Sequence, residues 1–91
     1  MTDRPGSHAE AAFRAEGLVP ETWSNQPGFV YDEHDHPYHK VLYCTAGSIT
    51  FHTSDGDVQL GPGDRLDLPP RTAHSATVGP EGVTCMEAAS H

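Results

Sequence analysis

GFVYDEHDHPYHKVLYCTAG, residues 28–47, decides how this chain is read. His34 and His36 are separated by one residue, so on a strand both side chains point the same way, with Cα atoms roughly 6–7 Å apart. Two imidazoles at that spacing can converge on one ion at bonds of about 2.1 Å. His39 and Lys40 follow at once. The apolar run Val41–Cys44 then leads to a turn at Ala46-Gly47.

The rest of the chain has the same texture. From Leu18 onward, short segments alternate with turn signals. The segments are Val19–Trp23, Phe29–His34, Lys40–Thr45, Ser48–Thr53, Asp57–Leu60, Arg65–Leu68, His74–Val78 and Val83–Glu87. Nine glycines and eight prolines supply the breaks, among them Gln26-Pro27-Gly28, Asp55-Gly56, Gly61-Pro62-Gly63 and Gly79-Pro80-Glu81-Gly82. About eight short strands at near-regular spacing predict an all-β sandwich or barrel. Ahead of them, residues 1–6 read as a loose tail, and Ser7 with Glu10 fits a capping box. A short helix over about residues 8–16 follows, anchored by Phe13 and stopped by Gly17. The expected division is therefore 1–17 as tail and helix, and 18–91 as barrel.

The two motifs agree in order and spacing. Gly28, five residues, His34-x-His36, three residues, position 40, six residues, Gly47 form the first. Gly63, five residues, Pro69-x-Arg71-x-x-His74 form the second. Together they resemble the cupin family, and in particular small single-domain bacterial cupins. The family patterns are G-x5-H-x-H-x3-4-E-x6-G and G-x5-P-x-G-x2-H-x3-N. The resemblance implies a small jelly-roll barrel with a metal in its mouth. His34, His36 and His74 match the histidine ligands. Pro69 and Pro70 fit the turn that presents His74.

Three positions depart from the pattern. Lys40 stands where the family has glutamate, Arg71 where it has glycine, and Val78 where it has asparagine. The first matters most, because a protonated lysine cannot ligate a metal. At 4 Å its repulsion from a divalent ion is roughly 8 kcal/mol at an effective dielectric of 20.

Three arrangements follow. A three-histidine site survives, with Lys40 turned aside toward an acid such as Asp32, which has the strand parity of His34. Or His39 becomes a fourth ligand where Pro37 bends the loop. Or no metal binds, and Lys40 and the histidines hold an anionic or carbonyl-bearing molecule. All-imidazole ligands suit zinc, iron, nickel or copper. Lys40, the only lysine, shares its parity with Leu42 and Cys44 and is the candidate catalytic residue, as an acid/base or a carboxylate binder.

Composition narrows the rest. Thirteen acids against five Lys and Arg give a formal charge of -8. That balance argues against nucleic acid and anionic membranes, which need a basic footprint. There is no apolar run long enough to span a bilayer and no apolar N-terminal signal, so the expected compartment is the cytoplasm. Cys44 and Cys85 form no CxxC and read as small buried hydrophobes. Ile49 and Phe51 share a face, which leaves His52 on the outer one. His8 and His91 lie near the termini. Val41 and Tyr43 make β-segment 40–45 apolar on its second face too, which predicts a homodimer interface there; Trp23, Phe29 and Tyr31 either line that interface or simply pack within the chain. The function read from all this is a metal-binding cupin, an oxygenase or isomerase of a small organic molecule. Its competitor is a non-catalytic ligand-binding or sensory module in which Lys40 helps bind an anion.

Overall fold

A computed structural model describes residues 5–90. One helix, α1 (Pro5–Ala15), precedes six strands: β1 (Glu21–Asn25), β2 (Val30–His34), β3 (His39–Thr53), β4 (Gly56–Leu60), β5 (Arg65–Leu68) and β6 (His74–Ser90). All pairings are antiparallel.

The eight segments expected from the sequence condense into six because two turn signals do not end their strands. Positions 46–47 lie inside β3, and 79–82 lie inside β6. Both long strands pair along their length, with register shifts between Cys44 and Ala46 and between Gly47 and Ile49. Such bulges bend a strand and raise its twist. The bend brings backbones into near contact: a Cβ on Gly47 would sit 2.0 Å from the Gly82 carbonyl oxygen, and Gly47 has φ +70°. Only glycine fits both demands.

The bent β3–β6 ribbon gives each strand a second set of neighbours. Its first half pairs with β5 along β3 and with β1 along β6. Its second half pairs with β4 along β3 and with β2 along β6. Each half is thus a four-stranded layer, and the two close as a small jelly-roll, or cupin, barrel. Leu42, Cys44, Ile49, Phe51, Leu60, Ala76, Val78, Val83 and Cys85 fill it.

A second core lies outside the barrel. Ala9 and Phe13 of α1 pack on Val41, Tyr43 and Ala88, the outward-facing residues of β3 and β6. Phe13 is fully buried and stands edge-on to the Tyr43 ring. The apolar outer face of β3, expected to meet a second copy of the chain, is therefore covered by the chain's own helix. Of the two alternatives for Trp23 and Tyr31, packing within the chain holds, and both line the barrel cavity. The helix starts at Pro5, ahead of the predicted Ser7 cap; proline has no backbone N–H to leave unsatisfied in a first turn. It ends as expected at Gly17, φ +72°, where the Leu18 N–H reaches the Phe13 carbonyl and the Gly17 N–H the Arg14 carbonyl. That pattern is a Schellman cap. The predicted tail lies mostly outside the described residues, as does His91. No described helix is long and apolar enough to cross a membrane.

Candidate functional site

The second half of the ribbon positions two of the three histidines. His34 ends β2 and pairs with His74, which begins β6; their ring centroids are 4.4 Å apart. His36 follows in the loop, with ring centroids 4.9 Å from His34 and 5.4 Å from His74. The Arg71 N–H donates to the His36 carbonyl over 2.6 Å, tying this loop to the turn that leads into β6. Arg71 makes that bond from a left-handed conformation, φ +60°, at the position where the resembled motif has glycine.

Each histidine can offer one ligand nitrogen, and these atoms lie within 4.8 Å of one another. Bonds of about 2.1 Å around one ion put nitrogens roughly 3–3.5 Å apart, so small side-chain rotations close the set. The tautomers suit that use. The His34 Nδ1 lies 2.8 Å from the Asp32 carbonyl, and the His74 Nδ1 lies 2.8 Å from the Thr72 carbonyl. An Nδ1–H donated to a carbonyl leaves the Nε2 lone pair for a metal. The Nε2 atoms of His36 and His74 are buried without a hydrogen-bond partner among the described residues. Burial first, then nearby positive charge, pushes the His36 imidazole below its ordinary pKa. Burial is also the largest cause at His74, and it outweighs the bond to Thr72. Both groups favour the neutral form that ligates. A divalent transition metal therefore fits these three side chains.

Lys40 points into the barrel, as its parity predicted, and is buried. Its acid partner is not Asp32. The bulge between Tyr31 and His34 breaks the alternation on which Asp32 was chosen. Lys40 Nζ instead lies 3.2 Å from Glu87 Oε1, across the β3–β6 pair. The Trp23 indole N–H donates to the same oxygen. Glu87 escaped the sequence reading, although strand parity with Val83 and Cys85 marked it as inward-facing. His39 does not join the other histidines. It faces away from Lys40, with Nε2 3.4 Å from Asp67 Oδ2. His52 also stays apart, bonded through Nδ1 to Asp57 and through Nε2 to Thr77.

His34, His74 and the Lys40–Glu87 pair open on one cavity of about 180 Å³. Trp23, Tyr31, Ile49, Phe51 and Ala76 supply its apolar wall. Trp23 and Tyr31 meet edge to face, with centroids 5.6 Å apart. The enclosure is thus an apolar pocket with a few convergent polar groups, the usual form of a small-molecule site.

Comparison with known proteins agrees with this architecture. Residues 23–86 match the family model described as the AraC-like ligand binding domain. Over 44 residues the chain is 43% identical to quercetin 2,3-dioxygenase of Bacillus subtilis (strain 168), a stretch that is 47% of this chain but 13% of that protein. The DMSP lyase DddQ from Ruegeria pomeroyi DSS-3 superposes with a TM-score of 0.75 at 21% identity, covering 81% of this chain and 38% of that one. A protein of unknown function from Rhizobium leguminosarum BV. viciae 3841 superposes with a TM-score of 0.73 at 16% identity, over 98% of this chain and 97% of its own. At such identities the structural likeness speaks for the fold. The match over residues 23–86, carried by this barrel, makes the chain a member of the AraC-like ligand-binding domain family, with a cupin fold.

Proposed function

We propose that this chain binds a divalent transition metal through His34, His36 and His74 and accepts a small organic molecule in the adjoining cavity, as a metal-dependent oxygenase or isomerase. The observation that carries the metal is the pair of buried, unpartnered Nε2 atoms on His36 and His74, aimed into a cluster with His34. Leaving such atoms unsatisfied costs about 1–3 kcal/mol each. A shared ion removes that cost. When bound, the metal would polarise a substrate oxygen or activate dioxygen. The chain's own residues hold the substrate against Trp23 and Phe51, exclude water with that wall, and set Lys40 and Glu87 within reach of a polar substituent. Zinc, iron, nickel and copper all suit three imidazoles.

Metal analysis of untagged protein by plasma mass spectrometry tests the reading, with His74→Ala as control. About one transition metal per chain, lost in the control, is the expected result. Absence of metal after reconstitution, with no change in melting temperature, overturns it.

Membership of a ligand-binding family favours a second reading, a non-catalytic sensory module using the same cavity. Saturable ligand binding without turnover under air, in metal-loaded protein, would select it.

A further inference from the structure

We propose that the Lys40–Glu87 end of the cavity selects, apart from any group held at the histidines, an uncharged hydroxyl donor on a single-ring-sized molecule, and that Glu87 and Lys40 together impose this choice. The inference rests on the small-molecule reading above, and it deepens that reading by naming the ligand class.

Size sets the first limit. The cavity of about 180 Å³ is close to the roughly 150 Å³ that encloses a benzene ring in an engineered apolar core. Trp23, Tyr31, Ile49 and Phe51 offer aromatic and aliphatic surface to a flat or compact body. They offer no ionic partner.

Charge sets the second. Apart from the imidazoles, Lys40 and Glu87 are, among the described residues, the only acid and base of opposite charge in the wall, and they neutralise each other at 3.2 Å. Both partners are substantially enclosed, with 11% and 24% of their side-chain surfaces exposed. The lysine is therefore not a free anion receptor. An incoming carboxylate meets the Glu87 carboxylate beside the same ammonium, and enclosed like charges repel strongly.

Geometry sets the third. The contacts from Lys40 and Trp23 both fall on Oε1 of Glu87. Neither of these contacts uses the second oxygen, and an ionised carboxylate can only accept. The ligand must then supply the hydrogen-bond donor, and a hydroxyl does so while its own oxygen can accept a hydrogen bond from the Lys40 ammonium. A neutral hydroxyl compound satisfies both groups without breaking the pair.

Benzyl alcohol and benzoate test this, being ring-sized probes that differ in charge. Binding is followed by the fluorescence of Trp23, the single tryptophan, which lines the cavity. Metal-free protein is used, so that benzoate cannot ligate an ion; zinc uptake is scored separately by calorimetry, which keeps failure of the metal site distinct from failure of the selectivity. The wild-type chain should bind benzyl alcohol about tenfold more tightly than benzoate, the worth of one mismatched polar contact. Glu87→Gln uncovers Lys40 and should erase or reverse the preference. Lys40→Met combined with Glu87→Gln removes both charges and should narrow the preference well below the wild-type ratio, an unchanged ratio overturning the proposal. A wild-type chain that binds benzoate equally or better overturns the proposal, as does an unchanged ratio in folded Glu87→Gln. So does the lack of a saturable response to either probe. If Glu87→Gln fails to fold, the wild-type ratio and the double variant still decide.

Discussion

Phe13 stands edge-on to Tyr43, with ring centroids 5.4 Å apart at an interplanar angle of 73°. This contact joins α1 to the outside of a barrel whose own core is small. Arg65 reinforces it from β5, reaching Glu16 beyond the helix end, Asp67 on its own strand and the Tyr43 hydroxyl. A strand face that is apolar on both sides is thereby covered within one chain.

Phe13→Ala should accordingly cost about 3–5 kcal/mol, the usual range for removing a fully buried phenylalanine. In a small domain with a total stability of about 5–15 kcal/mol, that is a large fraction. Urea denaturation gives the loss. The same change exposes Val41, Tyr43 and Ala88, so sedimentation should show new self-association of the variant.

Lys40→Met strips Glu87 of its ammonium partner and leaves, among the described residues, only the Trp23 N–H on that carboxylate. Breaking a fully buried pair costs about 3–5 kcal/mol, and partial exposure of Glu87 reduces the expected loss to about 1–3 kcal/mol. Adding Glu87→Leu should recover most of it, because an apolar pair leaves no charge unmatched. Urea midpoints of the two variants decide; a double variant no better than the single one contradicts this account.

The cysteines predict a response to alkali. Burial, with Cys44 and Glu87 nearby, pushes the Cys85 thiol up to about 12. Cys44 is raised as well, again by burial first. A raised pKa means that the folded chain holds protons that the unfolded chain releases near the ordinary thiol range. Stability from this source is complete below about pH 8.5 and is lost as pH rises toward the folded value. The urea midpoint should fall across that window, and Cys85→Ala should flatten the fall. At pH 8 a thiol reagent should leave folded protein untouched and find both cysteines after unfolding.

Two backbone positions predict opposite signs. Arg71 holds φ +60°, a conformation costing a side-chain-bearing residue about 1–2 kcal/mol. Arg71→Gly should raise stability by several tenths to 1 kcal/mol, about the net once glycine's greater unfolded freedom is counted. Gly47→Ala should lower it by about 2–5 kcal/mol, since the new methyl meets the Gly82 carbonyl as well as an unfavourable φ. Thermal melts of the two variants, side by side, check both.

What the sequence determined by itself was local. Glycines and prolines marked turns because backbone torsions are a property of single residues. His34-x-His36, Arg71-x-x-His74 and the glycines around them announced a cupin because the spacing of ligands along a strand or turn is a matter of a few residues. Parity also placed Lys40 inward, beside Leu42 and Cys44.

Tertiary structure decided what depends on distant pairing. Whether Ala46-Gly47 and Gly79–Gly82 end their strands or merely bend them depends on a partner strand running past the bulge. The bulge between Tyr31 and His34 shifts which side chains share a face, so counting by twos chose Asp32 where the fold supplies Glu87. Glu87 lies far along the chain from Lys40, and only the β3–β6 register brings the two together. The same holds for α1, whose seat on Val41 and Tyr43 turned an apparent dimer face into an internal contact. Torsions and short spacings are written residue by residue, whereas pairing depends on which buried surfaces close on one another, a property of the whole chain.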